Sequence, residues 1–357
     1  MYTVKIKPNW EISPNNGPSY DTAVLLSLLN SIHESGSIMQ AAQASGNSYR
    51  HIWGILRDAE KTFGNPLIQT ERGRGSHLTP LAEKLIWAHR RIAARLSPML
   101  ETLSSELELE LNKMVRNQPP LLRLNASHGF AVAALLHQLN IQQLPLELRY
   151  RNSTDAVAAL ARQECDLAGF HVPLGEFEKA AVARYSPWLD KQKHCLIHLA
   201  VRTQGLIVAC GNPKHINSLR DLTRPEIAFV NRQTGSGTRM LLELMLAKHA
   251  LSPDTIDGYE TAEFTHSAIA AFIASGMADA GFGVQTAAQR FGLDFIPLIR
   301  ERYFFALSTN MLSNPLMQQV IHTLQSEPFR ATVGQLIGYN SDATGSLLSP
   351  SQAFNCL

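Results

Sequence analysis

From Pro80 to Val115 the chain contains no glycine and one interior proline, Pro98, and Asn117-Gln118-Pro119-Pro120 follows at once. A stretch this long with a single backbone breaker, and with apolar residues at helical spacing, reads as helical. Two successive prolines after it stop the helix and mark a domain boundary. The chain is therefore divided into residues 1–80, a linker at 81–118, a large region at 119–345 and a tail at 346–357. Leu85, Ile92 and Met99 are seven apart, as are Leu96 and Leu103. That spacing suits a linker and dimerisation helix that pairs with its twin, in a homodimer or a dimer of dimers; packing on its own domain is the alternative. Pro98 predicts two helical segments rather than one.

Beyond the prolines, strand and helix patterns alternate, as in βαβ units on a mostly parallel sheet. Strands are predicted at 121–125, 146–150 and 166–171, with helices at 130–139 and 156–163. Ligands of open α/β sheets lie beyond the carboxyl ends of strands. Ser127, His128, Ser153 and Thr154 fall there. Further on, a connecting segment and strand are predicted over 197–209, a helix over 268–275, and strands over 278–284, 295–298 and 303–308.

The densest chemistry lies at 227–246, a buried strand, a polar turn and an apolar helix. Gly235 and Gly237 permit a tight turn and close approach of the backbone to a ligand. Ser236 or Thr238 can cap the helix, whose free N–H groups and dipole favour an anion. Thr234 adds a hydroxyl, and Arg232 and Arg239 add positive charge. The stretch has neither the Gly-Lys-Ser/Thr of a phosphate loop nor Gly-x-Gly-x-x-Gly. An ordinary capped turn would look the same.

Residues 1–80 read differently. Val4, Ile6 and Trp10 suggest a short strand before a turn at Pro14–Pro18. Three helices follow: one after Asp21, a small-residue helix opened by Ser37, and a third opened by Ser48. Residues 66–80 form a wing with a basic tip. Helix, turn and helix place Ser48, Tyr49, Arg50 and His51 for base edges and phosphates, with Ser37 nearby, and Arg72 and Arg74 for the backbone or minor groove. Net charge is only +2, yet 48–95 carries nine basic and four acidic residues, which concentrates the positive charge here. A small helical domain with a solvated charged face is the plainer possibility.

Two resemblances attach to these residues. Gly36-Ser37-Ile38-Met39-Gln40-Ala41-Ala42, Ser48-Tyr49-Arg50-His51-Ile52-Trp53, Arg72-Gly73-Arg74-Gly75 and Leu78-Thr79 make residues 1–80 similar to the winged helix-turn-helix of ModE-type molybdate-responsive regulators, relatives of LysR-type DNA-binding domains. Residues 121–310 resemble the periplasmic-binding-protein-like domain found fused to helix-turn-helix regulators and to some molybdopterin-biosynthesis proteins. That likeness is densest at 203–208, 211–213, 229–239, 263–266 and 278–283. The expected fold is α/β: an N-terminal winged helix-turn-helix, a linker helix, and a two-lobed type II periplasmic-binding-protein-like domain. The resemblance implies lobe I from 119–198 and 300–345, lobe II from 199–299, and a ligand between lobes that close on it.

The expected ligand contacts are Ser127, His128, Ser153, Asn231, Arg232, Thr234, Ser236, Gly237, Thr238, Thr265 and His266. Neutral donors at helix starts suit a small oxyanion. The resemblance points to molybdate or tungstate, and the same donors fit a small carboxylate such as formate. The tandem oxyanion-binding β-barrels usual in ModE proteins do not follow the linker, so the first half does not by itself carry the ligand over. No metal-ligand spacing is present and no cofactor is expected beyond the effector anion. The four cysteines lack C-x-x-C spacing, no apolar leader opens the chain, and no run has the ~18 apolar residues of a membrane span. The expectation is a cytoplasmic, non-enzymatic regulator that binds double-stranded operator DNA and no membrane. The alternatives are an intracellular oxyanion carrier and, further off, an enzyme, for which no Gly-x-Ser-x-Gly, H-E-x-x-H or kinase motifs exist.

Overall fold

The computed structural model describes residues 2–13, 19–71, 75–115 and 121–354. The chain forms two compact units, 7–96 and 97–357, the latter including 1–6.

In the first unit, β1 (Glu11–Ile12) and β2 (Tyr20–Asp21) pair antiparallel, and α1 (Ala23–Ser35), α2 (Ile38–Ala44) and α3 (Tyr49–Phe63) follow. Strands β3 (Ile68–Glu71) and β4 (Gly75–Leu78) pair antiparallel where the wing is expected, and α4 (Pro80–Val115) begins directly after them. Helix starts follow the sequence logic: Ser37 accepts from Gln40 N and Ser48 from His51 N. Leu25, Leu29, Ile32, Ile52, Leu56 and Leu67 bury the seam between the helices. Gly75 has φ +87°, and Ser76 N donates to Gly36 O at 2.9 Å. A Cβ on Gly75 would stand 2.6 Å from that oxygen, so the start of β4 needs a glycine. The strand expected from Val4, Ile6 and Trp10 does not form. Instead Tyr2, Val4 and Ile6 donate their N–H groups to Asn112, Glu108 and Ser104, one turn of α4 apart. The turn at Pro14–Pro18 and the boundary at Asn117–Pro120 lie outside the described residues.

Helix α4 is continuous through Pro98, not two segments. A proline removes one helical hydrogen bond, and the following turns are held from outside. Ser105 Oγ accepts from Leu148 N at 2.9 Å, and Thr102 Oγ1 accepts from Tyr150 N at 3.3 Å. These side chains occupy the free edge of a strand that would otherwise offer unpaired N–H groups. Met99, Leu103, Leu107, Leu111 and Met114 stay exposed along the same helix.

The second unit continues with β5 (Leu122–Ala126), α5 (Phe130–Ile141), β6 (Leu146–Tyr150), α6 (Ser153–Ala161), β7 (Leu167–Pro173), α7 (Glu178–Tyr185) and β8 (His194–Val208). Then come β9 (Phe229–Arg232), α8 (Gly237–Lys248), β10 (Ala262–Glu263), α9 (His266–Ala274), β11 (Ala280–Val284), α10 (Gln285–Arg290) and β12 (Asp294–Ser308). It ends with α11 (Pro315–Gln325), α12 (Glu327–Gly334), β13 (Tyr339–Asn340), β14 (Leu347–Leu348) and α13 (Pro350–Ala353). The sheet runs β10-β9-β11-β8-β12-β7-β5-β6. Its two ends are parallel triplets, β6-β5-β7 and β11-β9-β10, and their middle strands are largely buried.

The segments expected as separate strands over 197–209 and over 295–298 and 303–308 are two unbroken 15-residue strands, β8 and β12. They pair antiparallel along their whole length, with register shifts between Pro297 and Ile299 and between Tyr303 and Phe304, and they carry the chain between two lobes. Lobe I packs α5, α11 and α12 on one sheet face and α6 and α7 on the other. Lobe II packs α8 and α9 on opposite faces. The tail, unreadable in sequence, returns to lobe I: β14 pairs with β8, and Phe354 packs on Phe170 and Phe304. Among the described residues no helix is long and apolar enough to cross a membrane.

Candidate functional site

Three helices of the second unit begin around one buried group of side chains. Helix α6 opens after Asn152, α8 after Ser236 and α9 after Thr265, each with a side-chain cap: Asn152 to Asp155 N, Ser236 to Arg239 N, Thr265 to Ala268 N. A cap serves the third N–H, so the first two of each helix have no intrahelical acceptor. Those helix starts carry partial positive charge. Gly237 shows how closely they approach: a Cβ there would lie 3.2 Å from His171 Cβ and 3.4 Å from Ser153 Oγ. Here the glycine matters for space, not for φ.

Strands β7, β8 and β12 supply the charged layer beneath. Arg202 Nε donates to Glu301 Oε1 at 2.6 Å, and Gln204 Nε2 donates to the same oxygen at 2.7 Å and to Thr238 Oγ1 at 3.1 Å. Arg202 Nη2 lies 3.2 Å from His171 Nε2, which is 2.9 Å from Ser127 Oγ. A guanidinium only donates, so Nε2 is the acceptor and the His171 proton is assigned to Nδ1. Burial, with Arg202 and Arg232 nearby, holds His171 well below the usual histidine range. Burial and the same two arginines do so for His266. Both imidazoles are therefore neutral near pH 7.

Arg232 is a second buried cation beside this layer. Its guanidinium donates to Phe264 O at 2.7 Å, and Nε has no partner. Burial and the like charge of Arg202 outweigh the pull of Glu301 and push it down to about 9, so it stays cationic at neutral pH. Glu263, also buried, is its register partner on β10. A buried cation beside three helix starts suits a small anion. Among the described residues no group of three His, Cys, Asp or Glu could hold a metal ion.

The profile of the PBP superfamily domain matches residues 133–325, more than half of the chain. The chain belongs to the PBP superfamily. Among relatives, it is 35% identical over 211 residues to the uncharacterised protein YvgK of Bacillus subtilis, covering 58% of this chain and 67% of that one. It is 30% identical over 110 residues to the molybdenum-pterin-binding protein MopB of Rhodobacter capsulatus, covering 30% of this chain and 40% of that one. Of solved structures, an H2O2-bound cysteine-to-serine mutant of Corynebacterium glutamicum OxyR aligns over 87% of this chain and 93% of that one, at 13% identity and a TM-score of 0.44.

In this PBP-superfamily domain Ser127, Ser153, Arg232, Gly237, Thr238 and His266 of the expected set lie in or beside this buried group of side chains. Ser236 and Thr265 are there as caps. Three residues stand otherwise. Asn231 is committed to the backbone, donating to Tyr259 O and accepting from Arg232 N. Thr234 is exposed. His128 is half-buried at the rim, its ring 5.1 Å from Tyr150 and its Nε2 3.8 Å from Glu101 of α4. Arg239 pairs with Glu260 at 2.9 Å and Glu243 at 3.3 Å and lies over the Tyr259 ring.

Sequence reasoning missed His171, Arg202, Gln204 and Glu301. The signal was charged residues within apolar strands, Arg202 and Glu301 above all. On α3, Ser48, Tyr49, Arg50 and His51 are exposed, and Tyr49 stacks edge-on against Trp53 at 6.1 Å. Ser37 is half-buried as the α2 cap. Arg72 and Arg74 lie outside the described residues.

Proposed function

We propose that the chain is a transcriptional regulator whose two-lobed domain senses a small anion and whose N-terminal unit binds operator DNA as a dimer. The observation that carries the sensing half is Arg232, a buried guanidinium with an unpartnered Nε among three helix starts. An anion there would draw the α8 and α9 starts toward the α6 start and hold the lobes together. The ligands expected from sequence are molybdate, tungstate and formate. The similarity to a molybdenum-pterin-binding protein, MopB, is in keeping with a molybdenum-linked ligand.

The DNA-binding half draws its support from the exposed start of α3 and from the hairpin that ends where α4 begins. The exposed apolar row on α4 suits pairing with a second copy. Lobe closure would act through α4, whose Thr102, Ser105 and Glu101 hold the β6 edge.

The test has two parts. A thermal-shift series with molybdate, tungstate, sulfate, phosphate, formate and other small carboxylates should raise Tm by a few degrees for the effector class. Binding to DNA fragments from the gene's own upstream region should fall steeply with salt and change when that anion is added. No response to any anion would remove the sensing half. Anion binding without salt-dependent DNA binding would leave an intracellular carrier.

A further inference from the structure

The cleft does not present donors alone. Glu301 Oε1 serves Arg202 and Gln204, while Glu301 Oε2 has no partner. Gln204 uses its amide N–H groups on Thr238 and Glu301, and its Oε1 has no partner either. Glu301 is 1% exposed and Gln204 0%, so bulk water does not reach them. Buried acceptors without hydrogens to accept are rare and costly. Two occur in one network, within the same hydrogen-bonded chain that runs from Thr238 at the α8 start through Gln204, Glu301 and Arg202 to His171 and Ser127.

On the donor side stands Arg232 Nε, which has no hydrogen-bond partner. His171 Nδ1 makes no hydrogen bond either, although Glu301 Oε1 lies 3.5 Å away. A ligand that satisfies this set must accept hydrogen bonds at one end and donate at another. A bare oxyanion would put a lone pair against the Glu301 carboxylate and be repelled. An O–H on the ligand would make a short, charge-assisted bond to it. The hydroxyls of Tyr303 and Tyr339 do not bond to Glu301 Oε2; the two rings line, with Arg202 and Gly129, a cavity of about 10 Å³, room for a single water.

We propose that this cleft selects a small anion that carries its own O–H, an oxyanion of the hydrogen-phosphate type or a hydroxylated carboxylate, with Glu301 Oε2 accepting that hydrogen. The proposal rests on the reading of the cleft as an anion site and narrows it. Molybdate, tungstate and formate, which are unprotonated at neutral pH, bind less well than their hydroxyl-bearing counterparts.

The experiment is titration calorimetry on the full chain at pH 7 with two matched pairs: inorganic phosphate against sulfate, and glycolate against acetate. Within the favoured pair the O–H member should bind about ten- to a hundredfold tighter, the loss expected for one hydrogen bond to a charged group. The pair that responds separates an oxyanion source from a carboxylate source. Glu301→Gln, which replaces the acceptor by a donor, should erase or invert the preference, and the wild-type pairs decide the matter if that variant does not fold. Equal or tighter binding of sulfate, molybdate, acetate or formate by the wild type overturns the proposal and leaves the anion site standing. Silence toward all of them, unchanged by Arg232→Met, removes the anion site and the proposal together.

Discussion

Arg202 on β8 and Glu301 on β12 are direct register partners in the antiparallel ladder, joined at 2.6 Å and almost wholly buried. The pair lies on the two strands that connect the lobes, so the cleft floor and the lobe connection are one structure. Breaking a buried pair leaves a lone charge in the interior. Arg202→Met should cost about 3–5 kcal/mol, and adding Glu301→Leu should recover a large part of it. Urea denaturation of both variants is the check. A single variant within about 1 kcal/mol of the parent would show the pair to be dispensable.

Arg232 should behave in the opposite way. Burial and the like charge of Arg202 outweigh the pull of Glu301 on it, so Arg232→Met should leave the ligand-free protein within about 1 kcal/mol of wild type, the lost bond to Phe264 O and the lost attraction to Glu301 being offset by relief of that burial and repulsion. The same variant should lose the stabilisation of about 2.7 kcal/mol that an effector at a hundred times its Kd confers. Thermal melts with and without the anion separate the two effects.

Acid should weaken the sensing domain before its carboxylates titrate. His171 and His266 are held well below the usual range by burial and nearby arginines, and burial, helped by Arg302, pushes His198 down to about 4. The unfolded chain takes up protons near pH 6.5 while the folded chain does not, so stability falls as pH drops below 6.5. Each group contributes up to about 1.4 kcal/mol per pH unit until its folded value is reached. For His198 the window is pH 6.5 to about 4. Denaturant midpoints from pH 8 to 4.5 should decline below 6.5, with a shallower decline in His198→Gln.

On α3, Arg50 is exposed and free of the core. Arg50→Ala should leave Tm unchanged, weaken binding to operator DNA and reduce the salt slope by about 1 if it meets a phosphate. Ser48→Ala should instead cost about 1 kcal/mol of stability, because its Oγ caps His51 N at 3.2 Å. Fluorescence anisotropy over a salt series and thermal melts distinguish the two.

The order of elements was legible in the chain because it is local. Serine caps at 37, 48 and 236, the glycine turns and the apolar periods announce helices whatever surrounds them. The polar turn at 231–238 could likewise be picked out as the start of a helix. Pairing across distance could not. Nothing in residues 194–208 and 294–308 alone says that they are two long strands bonded to each other, and nothing near Pro98 says that side chains at 102 and 105 will hold the helix against a sheet edge. The charged floor of the cleft joins His171, Arg202, Gln204 and Glu301 from three strands, up to 130 positions apart in sequence. Helix and turn preferences act over a few residues and are written in composition. Which buried charge meets which partner depends on register across a sheet, and only the folded sheet sets it.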